Sequence, residues 1–151
     1  MRIWVDADAC PGSVKEMLFR ASKRTGVLVT LIANHPMKIP ATPSVTLVQV
    51  PSGFDVADNE IVKRLSPGDL VITADIPLAA EIIEAKGHAL NPRGEMYSPE
   101  TIKAQLTMRD FMETLRSSGV QTRGPPPIGQ RESKLFGAAL DGFLAKHHKA
   151  N

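Results

Sequence analysis

Residues 1–11 read Met-Arg-Ile-Trp-Val-Asp-Ala-Asp-Ala-Cys-Pro. The apolar run at 3–5 predicts a short buried strand, and two carboxylates, Asp6 and Asp8, follow it directly. Ligands of open α/β sheets bind at the carboxyl ends of the strands, and two acids separated by one small residue can face a common hard cation. This segment therefore indicates a ligand site at the end of a first strand. Asp8 has a second interpretation, as the cap of a helix that begins near Pro11.

The rest of the chain alternates predicted strands with predicted helices. Apolar runs predict strands at 27–33, 45–50, 69–75 and 88–90, and helical spacing of apolar residues predicts helices at 13–25, 57–65, 78–86, 99–117 and 132–147. Such alternation is typical of βαβ units with right-handed crossovers. We therefore expect an α/β fold, a three-layer α/β/α sandwich with a mostly parallel central sheet. A length of 151 residues with 42% hydrophobic content suits a single domain over 1–151.

The last third of the chain contains one irregular segment. Residues 118–131 are rich in Gly and Pro, which predicts a flexible loop that contacts the substrate or serves as a simple spacer. Residues 132–148 are then predicted to form a C-terminal helix. Its buried face is expected to carry six side chains: Leu135, Phe136, Ala139, Leu140, Phe143 and Leu144.

Four further polar positions follow or begin the predicted elements. Asp75 ends the fourth strand, and Asp55 and Asp58 are three residues apart at the start of a helix. Capping explains Asp55 more readily than Asp58, which lies one turn inside that helix. Asn34, after the second strand, is either a second polar group of the site or a turn residue before Pro36.

The acids predict a bound cation. Bringing several carboxylates together is unfavourable unless protons or a cation neutralise them. Oxygen ligands without a convergent His or Cys set favour Mg²⁺ or Mn²⁺ over zinc. Such a site activates water and stabilises charge on a phosphate. We expect Asp6, Asp58 and Asp75 to converge at one edge of the sheet, with Asp8 as a further metal ligand.

Charge is unevenly distributed along the chain. The net charge of +2 is too small to indicate a nucleic-acid-binding protein by itself. Six of the eight Asp residues lie in the first half, whereas the second half is rich in Arg and Lys. If the fold brings the halves together, the result is an acidic pocket with a basic rim.

Several motifs in combination resemble one family. They are the Asp-Ala-Asp-Ala-Cys-Pro segment at 6–11, Phe-Asp-Val-Ala-Asp at 54–58, Gly-Asp-Leu-Val-Ile-Thr-Ala-Asp-Ile-Pro-Leu-Ala at 68–79, Arg-Gly at 93–94 and Gly-Pro-Pro-Pro at 124–127. Together they resemble the YaiI/YqxD family, uncharacterised bacterial proteins regarded as relatives of PIN-like nucleases. The resemblance spans nearly the whole chain.

The resemblance implies a PIN-like fold and a metal-binding acidic cluster. In this chain the cluster corresponds to Asp6, Asp58 and Asp75. Asp8 and Asp55 are expected to assist these three acids. The chain departs from the family pattern at 132–133, where Glu-Ser stands in place of an Asp-Arg pair. This change would remove a phosphate-contacting cation, for which Arg131 and Lys134 could compensate.

We therefore expect a Mg²⁺- or Mn²⁺-dependent nuclease acting on RNA. Asp6, Asp58 and Asp75 would be catalytic. Asn34 and Asp55 would orient these acids without binding the metal themselves. Three cations would bind the substrate phosphates: Arg93, Arg131 and Lys134.

Two alternatives remain open. A haloacid-dehalogenase-type phosphatase also begins with strand-Asp-x-Asp, and Thr73 resembles its second motif, but Cys10 stands where that class usually has Thr. A noncatalytic module that binds a metal or RNA is the other.

The single cysteine excludes an intramolecular disulfide and favours a reducing compartment, and no apolar run is long enough to span a membrane. We expect a cytoplasmic protein.

Overall fold

The computed structural model describes residues 1–53, 55–122, 124 and 126–148. Phe54 and Pro125 of the quoted motifs, and Arg123 of the predicted loop, lie outside these residues. The strands are β1 (Arg2–Asp6), β2 (Leu28–Ala33), β3 (Val45–Gln49), β4 (Leu70–Ile72) and β5 (His88–Leu90). The α-helices are α1 (Gly12–Thr25), α2 (Val56–Arg64), α3 (Ile76–Glu84), α4 (Ile102–Ser117) and α5 (Gln130–His147), and a short 3₁₀ helix (Ala7–Ala9) follows β1.

The predicted elements are all present, with shifted ends. Strand β4 is shorter than predicted because the chain leaves the sheet after Ile72. Helix α5 begins at Gln130 rather than at 132, so the predicted loop ends earlier than expected. The Glu132 side chain stabilises this start by accepting a hydrogen bond from the backbone N–H of Gly129 at 3.2 Å.

The sheet is parallel throughout and follows the order β3-β2-β1-β4-β5. From the central strand β1 the chain moves outward through β2 to β3, then returns to the other side for β4 and β5. The direction of winding therefore reverses between β1 and β4. In open α/β sheets, a crevice for ligands forms at that point, beyond the carboxyl ends of the strands.

Helices cover both faces of the sheet, which confirms the predicted three-layer α/β/α architecture. Alternate residues of β1 point to opposite faces, so Ile3 and Val5 join the core beneath α1 and α5. Trp4 joins the second core, beneath α2, α3 and the start of α4. None of the helices in the described part of the chain is long and apolar enough to cross a membrane.

One exposed side chain contradicts the predicted face of α5. Leu135 was expected in the core, but it is 49% exposed, whereas Phe136 is completely buried. At about 100° per residue, Leu135 lies at the edge of the apolar stripe, whose centre is near Phe136 and Phe143. The remaining five predicted side chains are buried or partly buried against the first core.

Asp69, one of the acids of the first half, has a structural role. It is 4% exposed at the start of β4, on the edge opposite the ligand crevice. Its carboxylate accepts hydrogen bonds from the backbone N–H of Arg2 at 2.9 Å, from Trp4 Nε1 at 3.0 Å and from the backbone N–H of Ser66 at 3.0 Å. These donors compensate for burial of the charge and tie β1 to the turn before β4.

Gly94 allows the turn after β5 to touch the backbone of α5. Its φ of +91° lies in the left-handed region, and a Cβ there would be 2.5 Å from the carbonyl carbon of Leu135 and 2.6 Å from the backbone nitrogen of Phe136. Because these are backbone atoms, no rotamer change relieves the contact. The Arg-Gly motif at 93–94 therefore has a packing explanation.

We expect Gly94→Ala to lower the free energy of unfolding by at least about 2 kcal/mol, because it adds both backbone strain and a steric clash. Urea unfolding followed by circular dichroism measures this. Gly12→Ala is the matched control: a Cβ at that position meets nothing within 4 Å, and its φ is outside the left-handed region. Equal stability of the two variants would contradict the close approach of the turn to α5.

Candidate active site

A hydrogen bond between Thr73 and Asp6 joins the residue after β4 to the end of β1, at the crevice. Asp6 ends β1, and Thr73 lies just beyond β4 and is 2% exposed. Thr73 Oγ1 donates to Asp6 Oδ2 at 3.0 Å and accepts from the backbone N–H of Asp75 at 3.0 Å. Tyr97 Oη donates to the Thr73 carbonyl at 3.3 Å. Thr73 therefore positions both acids, a role that strand and helix patterns do not reveal.

Asp75 is held by the helix that it begins. Its Oδ1 accepts a hydrogen bond from the backbone N–H of Leu78 at 3.1 Å, which makes it the N-cap of α3. The sequence had indicated Asp75 only as a strand end. Capping satisfies an unpaired helix donor and fixes the direction of the carboxyl group.

Asp58 lies in the first turn of α2 and interacts electrostatically with the other two acids. Partial burial, followed by the charges of Asp75 and Asp6 and a hydrogen bond shared with the Asp75 carboxyl group, raises the pKa of Asp58 to about 7. Burial also raises the pKa of Asp6, against the opposing effect of the Thr73 hydrogen bond. The three acids predicted to converge thus come from three elements and interact electrostatically at the crevice.

Asp55 does not cap α2. It occupies the N-cap position with a left-handed φ of 61°, but its side chain makes no capping hydrogen bond. The capping explanation for Asp55 is therefore wrong. Its charge instead contributes to the raised pKa of Asp58, and both residues line the same cavity.

Asp8 and Asn34 form a separate contact beside this group. Helix α1 begins after Pro11 without a side-chain cap, so the capping interpretation of Asp8 is also wrong. Asp8 Oδ2 instead accepts the backbone N–H of Asn34 at 2.9 Å, and Asp8 Oδ1 lies 2.7 Å from His35 Nδ1. The Asn34 side chain lies 3.2 Å from the same His35 nitrogen. Asp8 thus links the ends of β1 and β2, while its charge contributes to the raised pKa of Asp6.

A cavity of about 150 Å³ opens beside Asp55, Asp58 and Asp75. Glu81 of α3 and Arg109 of α4 also line it. Arg109 Nη1 lies 3.3 Å from Asp110 Oδ1, at an exposed position. The sequence placed Arg109 only within a generally basic half, and tertiary packing of α4 against α3 brings it to the acids.

The three cations expected to bind phosphate lie elsewhere. Arg93 Nη2 donates to the Pro126 carbonyl, and Arg93 Nη1 lies 3.9 Å from Glu132 Oε1, so this guanidinium is engaged within the chain. Arg131 is exposed in the first turn of α5, and Lys134 borders a wide, shallow cavity with Ser13. Among the described residues, none of the three lines the acidic cavity.

The donor atoms at the crevice suit a hard divalent cation. They are carboxylate oxygens, and the charges of Asp75 and Asp6 disfavour the ionised form of Asp58, a repulsion that a bound cation relieves. Within the part of the chain that the structure describes, however, no three His, Cys, Asp or Glu side chains are grouped closely enough for a ready-made metal site.

We expect Asp58→Asn to raise the melting temperature by a few degrees at pH 8 and to leave it nearly unchanged at pH 4. The folded protein keeps the Asp58 proton up to about pH 7, whereas the ordinary value is 3.8. The folded state therefore binds more protons between these values, and the free energy of unfolding falls as the pH rises through this window. An amide at position 58 removes this cost.

Calorimetry at both pH values, with the exposed Asp110→Asn as control, measures this dependence. Equal melting temperatures of wild type and Asp58→Asn at pH 8 would contradict the proposed repulsion among the acids.

Comparison with known proteins agrees with the resemblance drawn from the motifs. The family model described as "Uncharacterized BCR, YaiI/YqxD family" matches residues 4–146. The chain is 64% identical over 149 residues to a UPF0178 protein of Shewanella woodyi, with 99% of each chain covered, and 63% identical over 146 residues to one of Halorhodospira halophila, with 97% of each covered. No solved structure matches the chain significantly. The chain belongs to the YaiI/YqxD family, whose relatives carry the name UPF0178 protein.

Proposed function

We propose that the protein is a Mg²⁺- or Mn²⁺-dependent nuclease that hydrolyses phosphodiester bonds of RNA. The observation that supports this proposal is the electrostatic interaction of Asp58 with Asp75 and Asp6 near the point where the sheet order reverses, beside a cavity lined by Arg109. RNA as the substrate, and the PIN-like character of the fold, come from the family resemblance.

The acids would hold the cation as a set. Asp6, Asp58 and Asp75 would bind it directly or through water, and Asp8 would act beside Asp6. A divalent cation bound there supplies a water of lowered pKa and stabilises charge on the phosphate.

The remaining groups of the chain orient the acids and the substrate. Thr73 holds the Asp6 carboxylate through a hydrogen bond of 3.0 Å, and the N-cap contact holds Asp75. Because both positions are set by buried backbone or a buried hydroxyl, the acids keep their placement when the charge nearby changes. Arg109 can contact phosphate oxygens in the cavity through two parallel N–H donors.

Asp6→Asn and Asp75→Asn are each expected to lower Mn²⁺-dependent cleavage of a fluorescent single-stranded RNA by at least about 100-fold. Asn at position 75 still caps α3, and Asn at position 6 still accepts from Thr73, so the fold should be retained. The matched control is Asp141→Asn, an exposed acid paired with Arg24 on the surface. Cleavage by both site variants at the wild-type rate would refute the assignment.

Arg109→Gln is expected to raise KM for RNA by about 10-fold and to flatten its dependence on salt, because one phosphate contact is lost. Arg116→Gln, an exposed arginine on the same helix paired with Glu113, serves as the control. An unchanged KM and salt dependence in Arg109→Gln would remove Arg109 from the substrate site.

The phosphatase alternative has one observation in its favour, namely the contact between Thr73 and Asp6 at two neighbouring strand ends. Against it, no lysine is found among the described residues lining the acidic cavity. A cysteine-dependent mechanism is disfavoured because burial raises the pKa of the Cys10 thiol to about 12. Hydrolysis of p-nitrophenyl phosphate without RNA cleavage would favour the phosphatase. RNA binding without either activity would favour the noncatalytic module.

A further inference from the structure

A second cavity, of about 330 Å³, is lined in part by residues that adjoin the acidic site in the chain. Ala74 and Ile76, which line it, are the neighbours of Asp75 in the chain. Tyr97 also lines it, and its hydroxyl donates to the carbonyl of Thr73, the residue that holds Asp6. A molecule in this cavity would therefore contact the same short segment, 73–76, that positions the acids.

We propose that this cavity binds a nucleobase, namely the base of the nucleotide whose phosphate lies at the acids. The location of that phosphate rests on the proposed function, whereas recognition of the base rests on the cavity itself. The cavity volume lies near the lower end of the range of about 300–1,000 Å³ common for small-molecule sites.

The walls suit a flat aromatic ring. Two proline rings, Pro11 and Pro92, and two branched side chains, Ile76 and Ile128, supply apolar surface. A nucleobase buries both faces against such groups and needs polar contacts only at its edge. The cavity contains a single cation among its described lining residues, and that cation already contacts Glu132. The negative charge of a phosphate would therefore be poorly neutralised in this cavity.

Arg93 borders this cavity, and its guanidinium makes contacts within the chain. Its guanidinium donates to the Pro126 carbonyl and lies near Glu132, which limits its freedom before any ligand arrives. A planar guanidinium held in this way can stack on a base. The motif at 93–94 would then combine two roles, with Gly94 allowing the close approach to α5 and Arg93 bordering the cavity.

The edge of the base would be recognised by acceptors. The side-chain oxygen of Gln105 is buried and has no hydrogen-bond partner among the described residues. An unsatisfied buried acceptor is unfavourable, so a ligand that donates to it gains affinity. Glu95 supplies a second acceptor, whereas Asn91 Oδ1 is already occupied by the backbone N–H groups of Arg93 and Glu95 at 2.9 and 3.0 Å. The cavity should therefore favour bases that present N–H donors.

The test uses nucleosides, which carry no phosphate and need no metal. The full-length protein, labelled with ¹⁵N and kept in EDTA, is titrated with adenosine, guanosine, cytidine, uridine and ribose while NMR spectra are recorded. At least one nucleoside should bind with shifts at the amides of Ala74, Tyr97 and Gln105, and ribose should bind at least about 10-fold more weakly, because it has no base to fill the cavity.

Two variants examine the cavity independently. Gln105→Met keeps the side-chain length but removes the polar edge, and Ala9→Phe fills the opening from a different element. Each should weaken nucleoside binding by about 10-fold. The controls are Gln49→Met and Ala104→Phe, which make the same changes at exposed positions. The proposal is overturned if no nucleoside shifts these amides, if ribose binds as well, or if both cavity variants bind like wild type.

The nucleoside-binding experiment can succeed or fail independently of the test of nuclease activity. Nucleoside binding in a protein that cleaves no RNA would support the base site while removing the proposed activity. Cleavage that is lost in Asp6→Asn, in a protein that binds no nucleoside, would support the activity and overturn the base site.

Discussion

The hydrogen bond from Thr73 to Asp6 joins the two strand ends between which the sheet reverses its order. The hydroxyl that donates to Asp6 also accepts the backbone N–H of Asp75, so one buried group holds the acid that ends β1 and the acid that begins α3. The turn around Thr73 further contacts Tyr97 and begins α3. The positions of both acids, and of the second cavity next to Asp75, therefore depend on the hydrogen bond between Thr73 and Asp6.

The carboxyl groups gathered at this edge store unfavourable electrostatic energy. Burial and neighbouring acids raise the pKa values of Asp6 and Asp58, whereas Asp69, at the opposite edge, is buried among three donors that compensate for its charge. This contrast separates acids that stabilise the fold from acids that oppose it. Groups that destabilise the folded state without a structural partner are characteristic of functional sites.

Local patterns predicted the order of strands and helices well, because each element carries its own apolar periodicity. They were less successful for side-chain contacts. Capping was expected for Asp55 or Asp8, yet Asp75 caps a helix, and Leu135 is exposed although it fits an apolar stripe. In each case several local arrangements suit the residue, and the choice depends on which neighbouring element packs against it.

The sequence by itself determined the α/β class, the family and the presence of acids at the end of β1 and shortly after β4, since these follow from short-range spacing and motifs. Only the tertiary structure decided that Arg109 borders the acids, that Arg93 contacts Pro126 and Glu132, and that a second cavity lies behind Asp75. Those features join residues far apart in the chain. Their proximity results from packing of α3, α4 and α5 around the sheet, which local periodicity does not encode.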